Sequence, residues 1–387
     1  MATQCTICNS ASLVPIIERV GTPVFQNAVY RDEKAAAAAN TGRIRLVCCA
    51  DCGFVFNAGF DSSLINYGQN YENDQSHSQV FLQHMEQVAD CVLSALRATG
   101  GSVVEVGCGQ GGFLVCLRRR SENRIVTLQG FDPSFRGGSL PEGITIWPRL
   151  LDEKVMKELG TSCDVVVTRH VIEHVPDPVG FFATIRKSVP EPDRVRLFVE
   201  TPAFEWIVAN RVLQDVFYEH VNYFTADTLA LALAQAGFGR CVVTSVFGGQ
   251  YLWADASAAG VDIGLPAWTP QALAAARQYV ADVEAQIAKW HSILDCTSDA
   301  AVWGAGAKGV TFTGLVDPNR TRIAVLVDIN PKKQNAFAPT GHRIVSPAEA
   351  ARMAIPRIVL MNPNYEQEVR AILDAHRWKA TIVGASS

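Results

Sequence analysis

Four cysteines form two pairs whose spacing is typical of metal binding. Cys5 and Cys8 make one C-x2-C pair, and Cys49 and Cys52 make a second about forty residues later. Each pair can present two thiolates from one tight turn, and four sulfur ligands in a tetrahedral arrangement favour zinc. Ordinary buried cysteines and a redox pair are the alternatives. A metal with four protein ligands would be structural, stabilising a segment too short for a large core.

A glycine-rich turn lies between a predicted strand and the start of a predicted helix. Glycines let the backbone approach a ligand, and the helix N-terminus offers N–H groups to an anion such as the methionine carboxylate of S-adenosylmethionine. Glu105, ahead of the first glycine, favours the methyltransferase form of this motif, and Asp132 ends the next strand with a carboxylate suited to both ribose hydroxyls. A nicotinamide site and a turn that serves only chain geometry are the alternatives. The glycines assigned to the cofactor are Gly107, Gly109 and Gly111.

Histidines beside acidic residues are candidates for proton transfer. His174 follows an apolar run at the carboxyl end of a predicted strand, where open α/β sheets bind ligands, with capping or packing of the loop as the alternative role. His170, four residues earlier, is assigned to the cofactor site. Glu219 and His220 are adjacent, and a carboxylate near a histidine would raise its pKa and stabilise the charged form.

A second glycine motif lies near the C-terminus and has the full G-x-G-x-x-G pattern. It contains Gly304, Gly306 and Lys308, and Asp328 follows about twenty residues later, as in a Rossmann unit. We interpret it as a pocket for the phosphate or carrier group of a substrate, with Lys308 as the counter-charge. A structural remnant and a true NAD site are the alternatives.

Over nearly its whole length the chain resembles the C-methyltransferases of antibiotic deoxysugar biosynthesis and their bacterial relatives. The shared order is an N-terminal zinc segment, a class I methyltransferase domain and a Rossmann-like C-terminal domain that helps to hold the substrate. The resemblance implies that His220 is the general base with Glu219 beside it, and that Tyr71 and His174 are two further positions of the catalytic site. Tyr223, in the aromatic segment after His220, is assigned to the substrate.

The chain departs from the sugar enzymes at several positions. Phe217 stands where those enzymes carry a tyrosine two residues before the glutamate, and Phe247 stands where they carry a histidine before paired glycines. The segment from Tyr71 to Ser78 also differs from the serine-rich run expected there. The methyltransferase assignment survives these differences, and a deoxysugar acceptor is left open.

Apolar runs and composition shifts predict the elements that position these residues. An α/β fold is expected, with a zinc-binding segment at 1–65, the methyltransferase domain at 66–260, a linker helix within 261–298 and a smaller Rossmann-like domain at 299–387. The predicted strands are Val103–Val106, Thr127–Phe131, Val165–Thr168, Arg196–Glu200, Ala301–Gly304, Ile323–Asp328 and Ile358–Asn362. Helices are predicted at 78–99, 270–299, 346–354 and 364–376.

The composition and net charge limit the classes of binding partner that can be expected. The 387 residues carry a formal net charge of -4, which gives no reason to expect nucleic acid or an anionic membrane as a partner. We find neither an export signal nor an apolar run long enough to span a bilayer, and we expect a cytoplasmic protein. The oligomeric state is left open.

The sequence therefore predicts a methyltransferase that uses S-adenosylmethionine, contains zinc and acts on a small metabolite. The carbon of a nucleotide-linked keto-deoxysugar is one candidate acceptor. Transfer to oxygen or nitrogen of another natural-product intermediate is an alternative. An NAD-linked oxidoreductase or epimerase that uses the C-terminal glycine motif, and a silent binding protein with the same fold, are further alternatives.

Overall fold

The chain folds around three β-sheets. The computed structural model describes residues 2–65, 71–73, 77–122, 124–152, 154–155, 163–189, 194–258, 270–294 and 298–384. Residues 66 and 260, at two of the predicted domain boundaries, lie outside the described part, and the boundaries stay predictions. Within it, no helix is both long and apolar enough to cross a membrane.

An antiparallel sheet of four strands occupies the N-terminal part. In spatial order its strands are β1 (Leu13–Pro23), β2 (Thr41–Cys49), β3 (Val55–Asn57) and β9 (Asn222–Tyr223), and helix α1 (Glu33–Ala37) connects β1 and β2. Strand β9 belongs to the methyltransferase region and is far from β3 along the chain. The sheet beside the cysteine pairs is therefore completed by residues directly after His220.

The central sheet has seven strands, of which five are parallel. Its spatial order is β10 (Arg240–Val246), β11 (Tyr251–Ser257), β8 (Arg196–Pro202), β7 (Val165–Arg169), β4 (Gly100–Val106), β5 (Ile125–Phe131) and β6 (Ile144–Trp147). The five strands β8, β7, β4, β5 and β6 are parallel to one another, and β11 runs antiparallel to both β8 and β10. The helices of this region are α2 (Gln79–Ser94), α3 (Gly112–Arg120), α4 (Pro178–Ser188), α5 (Phe204–Ala209) and α6 (Ala226–Gln235).

A second α/β unit follows the long helix α7 (Pro270–Ile293). In spatial order its strands are β14 (Ala336–Phe337), β15 (Arg343–Val345), β13 (Ile323–Val327), β12 (Ala300–Trp303), β16 (Arg357–Leu360) and β17 (Thr381–Gly384). All neighbours are parallel except β14 and β15. Its helices are α8 (Ala307–Val316), α9 (Pro347–Arg352) and α10 (Glu366–Ala375).

Helix α7 packs between the units and does more than link them. Trp290 is buried and packs edge-on against Phe312 of α8, and the Tyr279 hydroxyl donates to the Val212 carbonyl oxygen at 2.6 Å. One apolar core contains side chains from β2, α7 and β12 together, including Leu46 and Val302. Because this core is shared, the N-terminal sheet, α7 and the C-terminal unit stabilise one another.

The predicted strands and helices are confirmed, with ends that shift by up to six residues. The parallel strands could be predicted because they are buried runs of Val, Ile and Leu, as expected for strands covered on both faces. In β7, for example, Val165, Val166 and Val167 are fully buried. Strands β6, β10, β11, β14, β15 and β17 and the N-terminal sheet were not predicted. In β10 the exposed and half-buried residues give no continuous apolar run.

Candidate active site

A cavity of about 330 Å³ lies between the central sheet and the C-terminal unit. It brings together all four residues predicted to be catalytic and four of the five predicted to hold the substrate. From the central region it is lined by His170, Glu173, His174, Glu219 and His220, together with Tyr71. From the C-terminal unit it is lined by Gly304, Gly306, Lys308, Asp328 and Lys333.

Backbone hydrogen bonds hold the loop that carries His220 against the loop that carries His174. The Val221 N–H donates to the Glu173 carbonyl oxygen at 2.7 Å, and the Asn222 side-chain amide donates to the carbonyls of Ile172 and Val175 at 2.9 and 2.7 Å. Residues 172–174 form a short 3-10 helix directly after β7. The two histidines are thus fixed by neighbouring backbone.

The rings of His174 and His220 lie edge to face, with centroids 4.9 Å apart. Phe217 also packs against His220, with a centroid separation of 4.0 Å and an angle of 43° between the rings. Burial, followed by the charges of His174, Lys308 and His170, holds the pKa of His220 well below its usual range. The predicted rise in this pKa is wrong, because burial of His220 disfavours its charged form.

The Glu219 carboxylate points away from its neighbour in sequence. It accepts hydrogen bonds from the Gln26 backbone N–H, at 2.9 Å, and from the Tyr71 side chain. Burial raises the pKa of Glu219, and the charge of His174 and these hydrogen bonds partly offset that rise. Glu219 therefore joins the N-terminal segment and Tyr71 to the cavity.

The central glycine turn has the shape that a bound cofactor needs. A side chain at Gly107 would meet Val171 at 2.2 Å and one at Gly111 would meet Ile146 at 2.5 Å, whereas the space at Gly109 is open to 4 Å. All three glycines have positive φ. Asp132 supports the turn by accepting from the Gly109 N–H at 2.7 Å, and its other oxygen accepts from the N–H and the hydroxyl of Ser134 at 2.7 and 2.6 Å. Of the roughly four acceptor positions of a carboxylate, about one is left for a ribose hydroxyl.

Orphaned polar atoms surround the carboxyl ends of β4 and β7 beneath this turn. Four buried side-chain atoms there have no hydrogen-bond partner in the described part of the chain: Glu105 Oε2, Thr168 Oγ1, Arg169 Nη2 and His170 Nε2. Buried polar atoms are rarely left unpaired, so a polar ligand at this place fits them. The open turn and these atoms are compatible with S-adenosylmethionine. Of this group, His170 also lines the cavity.

The C-terminal glycine turn repeats the construction of the central one. Gly304 N–H donates to the carbonyl of Val327 at 2.7 Å, as Gly107 N–H does to that of Phe131. Asp328 accepts from the Ala305 N–H at 2.8 Å, as Asp132 does from the central turn. Both turns therefore share the backbone hydrogen-bond pattern of a Rossmann-type strand–helix turn.

Lys308 is already paired. Its ammonium group contacts the carboxylate of Asp215 and lies 5.6 Å from the ring centroid of Trp206. Asp215 thus offsets part of the charge that Lys308 offers to an anion. Lys333, which the sequence analysis missed, is a second cation here: its ammonium group donates to the Ala305 carbonyl and the Asn27 side chain, both at 3.1 Å.

Tyr223 is the one predicted substrate residue that does not line the cavity. It is 2% exposed, and its hydroxyl lies 3.2 Å from both the N and the O atom of Phe217. It supports the loop that leads to His220. The two departures from the sugar enzymes differ in place: Phe217 lines the cavity, whereas Phe247 stacks on Tyr251 and contacts His84.

The four paired cysteines converge at the edge of the N-terminal sheet. Cys5 Sγ lies 3.6 Å from Cys52 Sγ, Cys8 Sγ lies 3.5 Å from Cys49 Sγ, and all four sulfurs are within 4.8 Å of one another. A tetrahedral zinc ion with Zn–S bonds of about 2.3 Å requires sulfurs about 3.8 Å apart, so this cluster fits the ion.

Glu173, His174 and His220 form a second group of potential metal ligands, with their ligand atoms within 4.8 Å of one another. Glu173 accepts a hydrogen bond from the Thr201 hydroxyl at 3.1 Å and lies 3.5 Å from His170. The same short separations would let the carboxyl group of Glu173 and the two imidazole rings exchange protons.

Two family models match the chain. A model described as a methyltransferase domain matches residues 76–240, and one described as a C-methyltransferase C-terminal domain matches residues 271–384. A curated relative, the C-methyltransferase NovU of Streptomyces niveus, is 25% identical over 390 residues, which cover 95% of this chain and 91% of NovU.

Solved structures resemble part of the chain. An O-methyltransferase family protein from Burkholderia thailandensis is 16% identical over 48% of this chain, and human N-acetylserotonin methyltransferase, solved with S-adenosylmethionine, is 15% identical over 46%; both give a TM-score of 0.35. The matches span 59% and 54% of those two proteins, little more than half of their lengths.

The expected fold class is confirmed: a class I, Rossmann-like methyltransferase region precedes a smaller α/β unit that matches its own family model. The two models occur in the expected order, and NovU aligns across both. The two matches and the alignment with NovU support an S-adenosylmethionine-dependent methyltransferase that is similar to C-methyltransferases over most of its length.

Proposed function

We propose that the chain transfers a methyl group from S-adenosylmethionine to a carbon next to the carbonyl group of a nucleotide-linked keto sugar. His220 is the general base. One observation carries the proposal: a single cavity is lined both by His220 and by the nucleotide-type turn of the C-terminal unit. An acceptor with a reactive sugar at one end and a phosphate-bearing carrier at the other would place the sugar beside His220 and the carrier beside the C-terminal turn.

Methylation at carbon needs a positioned base, because a C–H bond next to a carbonyl must lose its proton before the carbon is nucleophilic. His220 takes that proton, the carbon forms its bond to the methyl carbon, and the bond from methyl to sulfur breaks. S-adenosylmethionine supplies the leaving group as a neutral thioether. Burial favours the neutral form of His220, which is the form that accepts a proton.

His174, Glu219 and Tyr71 position the base and the acceptor. His174 Nδ1 bonds to the Glu219 carbonyl, so its Nε2 is free to act as an acceptor in the neutral ring. Tyr71 lines the same cavity, and its hydroxyl donates its one proton to the Glu219 carboxylate, which fixes the ring beside the acceptor.

The carrier binds at the C-terminal turn. Gly304 and Gly306 let the carrier approach the backbone, and Lys308 and Lys333 provide positive charge on either side of the turn. Asp328 supports the turn as Asp132 supports the central one. The central turn, with Glu105, Asp132 and His170, holds the methyl donor.

A zinc ion bound by Cys5, Cys8, Cys49 and Cys52 completes the proposal. The Ile7 N–H points at Cys5 Sγ at 3.5 Å, a contact that supports a thiolate ligand. With four protein ligands, the ion stabilises the N-terminal fold and takes no part in the chemistry.

The proposal is tested by incubating the purified protein with methyl-labelled S-adenosylmethionine and a panel of acceptors. The panel pairs each nucleotide-linked keto sugar with the same sugar lacking its nucleotide and with the reduced, hydroxyl-bearing sugar. Mass spectrometry should find one added methyl group on the linked keto sugar and far less on either partner. Equal transfer to the reduced sugar would contradict methylation at carbon, and NADH turnover without methyl transfer would favour the oxidoreductase alternative.

A further inference from the structure

Three side chains that line the cavity are arranged to bind one metal ion. The ligand atoms of Glu173, His174 and His220 lie within 4.8 Å of one another, and all three residues line the same cavity of about 330 Å³. Zinc bonds to nitrogen and oxygen are about 2.1 Å long, which places tetrahedral ligands about 3.4 Å apart. Small rotations of the two rings, which border open space, bring the atoms to that separation.

His174 is already oriented as a metal ligand. Its Nδ1 lies 2.9 Å from the backbone carbonyl oxygen of Glu219, so Nδ1 carries the proton and Nε2 keeps its lone pair. Histidines that bind metals nearly always donate their second ring N–H to a carbonyl or carboxylate oxygen in this way. The bond fixes the ring and leaves Nε2 available to an ion.

Glu173 is the charged member of the group and is 1% exposed. Its Oε2 accepts from the Thr201 hydroxyl at 3.1 Å, and its backbone carbonyl accepts from the Val221 N–H, next to His220, at 2.7 Å. The other oxygen, Oε1, lies 3.5 Å from His170 Nδ1, too far for a strong hydrogen bond. Because a buried carboxylate is costly without a compensating charge, a cation in the cavity is favourable.

The cationic side chains around this group are directed at other partners. Lys308 contacts the carboxylate of Asp215, and Lys333 donates to two oxygen atoms of neighbouring residues. The buried carboxylate of Glu219 adds a negatively charged group near His174. The surroundings therefore permit a divalent cation.

We propose that Glu173, His174 and His220 bind a divalent transition-metal ion, Zn²⁺ in the first place, and that the bound ion inhibits methyl transfer. Two imidazole nitrogens and one carboxylate oxygen suit Zn²⁺, Co²⁺ and Ni²⁺, whereas Mg²⁺ prefers oxygen ligands. The ion takes the lone pair with which His220 accepts the proton of the acceptor. The inhibition therefore rests on the proposed function, and the metal site itself does not.

Co²⁺ is the probe for the site, because its absorption spectrum reports its ligands. It is added to the wild-type protein after weakly bound metal has been removed by dialysis and the remaining zinc has been measured. One Co²⁺ ion per chain should bind with the visible bands of nitrogen and oxygen ligands and without a sulfur-to-cobalt band. Glu173→Gln should weaken Co²⁺ binding at least about tenfold, because it removes the charged ligand. Glu366→Gln is the matched control: its carboxylate pairs with Arg370 on the surface of α10, and Co²⁺ binding should be unchanged.

Methyl transfer tests the regulatory part of the proposal. Zn²⁺ should inhibit the wild-type enzyme over the range of concentration in which it displaces Co²⁺, and a chelator should restore activity. The Zn²⁺ concentration that halves activity should be at least about tenfold higher in Glu173→Gln than in Glu366→Gln.

Equal Co²⁺ affinity in Glu173→Gln and Glu366→Gln, or a sulfur-to-cobalt band from the added ion, would overturn the site. Full activity with the site occupied would overturn the inhibition. If the melting temperature shows that Glu173→Gln is unstable, His174→Gln removes a different ligand and takes its place. If the wild-type protein transfers no methyl group, the proposed function fails while the cobalt spectrum still tests the site, so the two failures are distinguishable.

Discussion

His174 Nδ1 lies 2.9 Å from the backbone oxygen of Glu219. Since a carbonyl oxygen can only accept, Nδ1 must carry the proton, and the neutral His174 ring presents Nε2 as an acceptor. The bond also connects the loop that follows β7 to the segment between α5 and β9. The backbone of the segment that carries His220 thus holds His174, and the backbone beside His174 in turn binds the Val221 N–H next to His220.

His220→Asn should lower kcat by about 10²–10⁴-fold while S-adenosylmethionine still binds, because a positioned general base typically contributes that much. Glu219→Gln should cost less, since its side chain contacts Gln26 and Tyr71 and not His220. Turnover is measured beside the melting temperature. A stable His220→Asn enzyme that loses less than about tenfold in kcat cannot have lost its base.

The pH profile gives an independent check of the same residue. Because the pKa of His220 lies well below 6.5, the neutral base is present at neutral pH and is lost only as the pH falls through that lowered pKa. The acid limb of kcat/KM should therefore lie below pH 6.5. An acid limb above pH 6.5 would fit a histidine stabilised in its charged form by a carboxylate, and would contradict this account.

Cys49→Ser combined with Cys52→Ser should remove the zinc and lower the melting temperature. The ion is expected to stabilise this segment, which is too short to form a large apolar core. Metal analysis measures the zinc content. Cys48→Ser is the control: Cys48 bonds to the backbone oxygens of Cys49 and Gly53 and is outside the cluster. Zinc retained in the double variant, or lost equally in the control, would contradict the site.

Asp132→Ala should weaken S-adenosylmethionine binding by roughly 1.5–3 kcal/mol, from the loss of charged hydrogen bonds. Asp132→Asn should cost less, because the amide oxygen can still accept from the Gly109 N–H and hold the turn. Calorimetry measures both. Unchanged binding in Asp132→Ala would mean that the carboxylate supports neither the ribose nor the turn.

Lys308→Ala should raise the KM of the acceptor by about tenfold, the loss expected for one charged hydrogen bond, and leave cofactor affinity unchanged. Asp215→Asn should act in the opposite direction, because it frees Lys308 from its paired carboxylate. Steady-state kinetics with and without the nucleotide on the acceptor test both. A loss of S-adenosylmethionine affinity in Lys308→Ala, with acceptor KM unchanged, would assign this turn to a cofactor.

Local sequence predicted the features that are built locally. The cysteine pairs and both glycine turns depend on the spacing of neighbouring residues, and the parallel strands depend on continuous apolar runs. The partners of the site residues depend on packing between distant segments. Asp215 meets Lys308 across 93 residues, and Gln26 meets Glu219 across 193.

The direction of the His220 pKa shift was missed for the same reason. Adjacency in sequence suggested that Glu219 would raise it, whereas the fold turns that carboxylate away and encloses His220 beside His174. Arg169 and Glu200 gave no pattern in sequence, because their pairing follows from the register of β7 and β8.

Nuclear magnetic resonance of the product made with ¹³C-methyl S-adenosylmethionine tests the central claim most directly. With a nucleotide-linked keto sugar as acceptor, the account predicts that the labelled methyl carbon is bonded to a ring carbon next to the carbonyl group, and that His220→Asn makes little of this product. A labelled methyl group on oxygen or nitrogen, or an equal yield from His220→Asn, would contradict it.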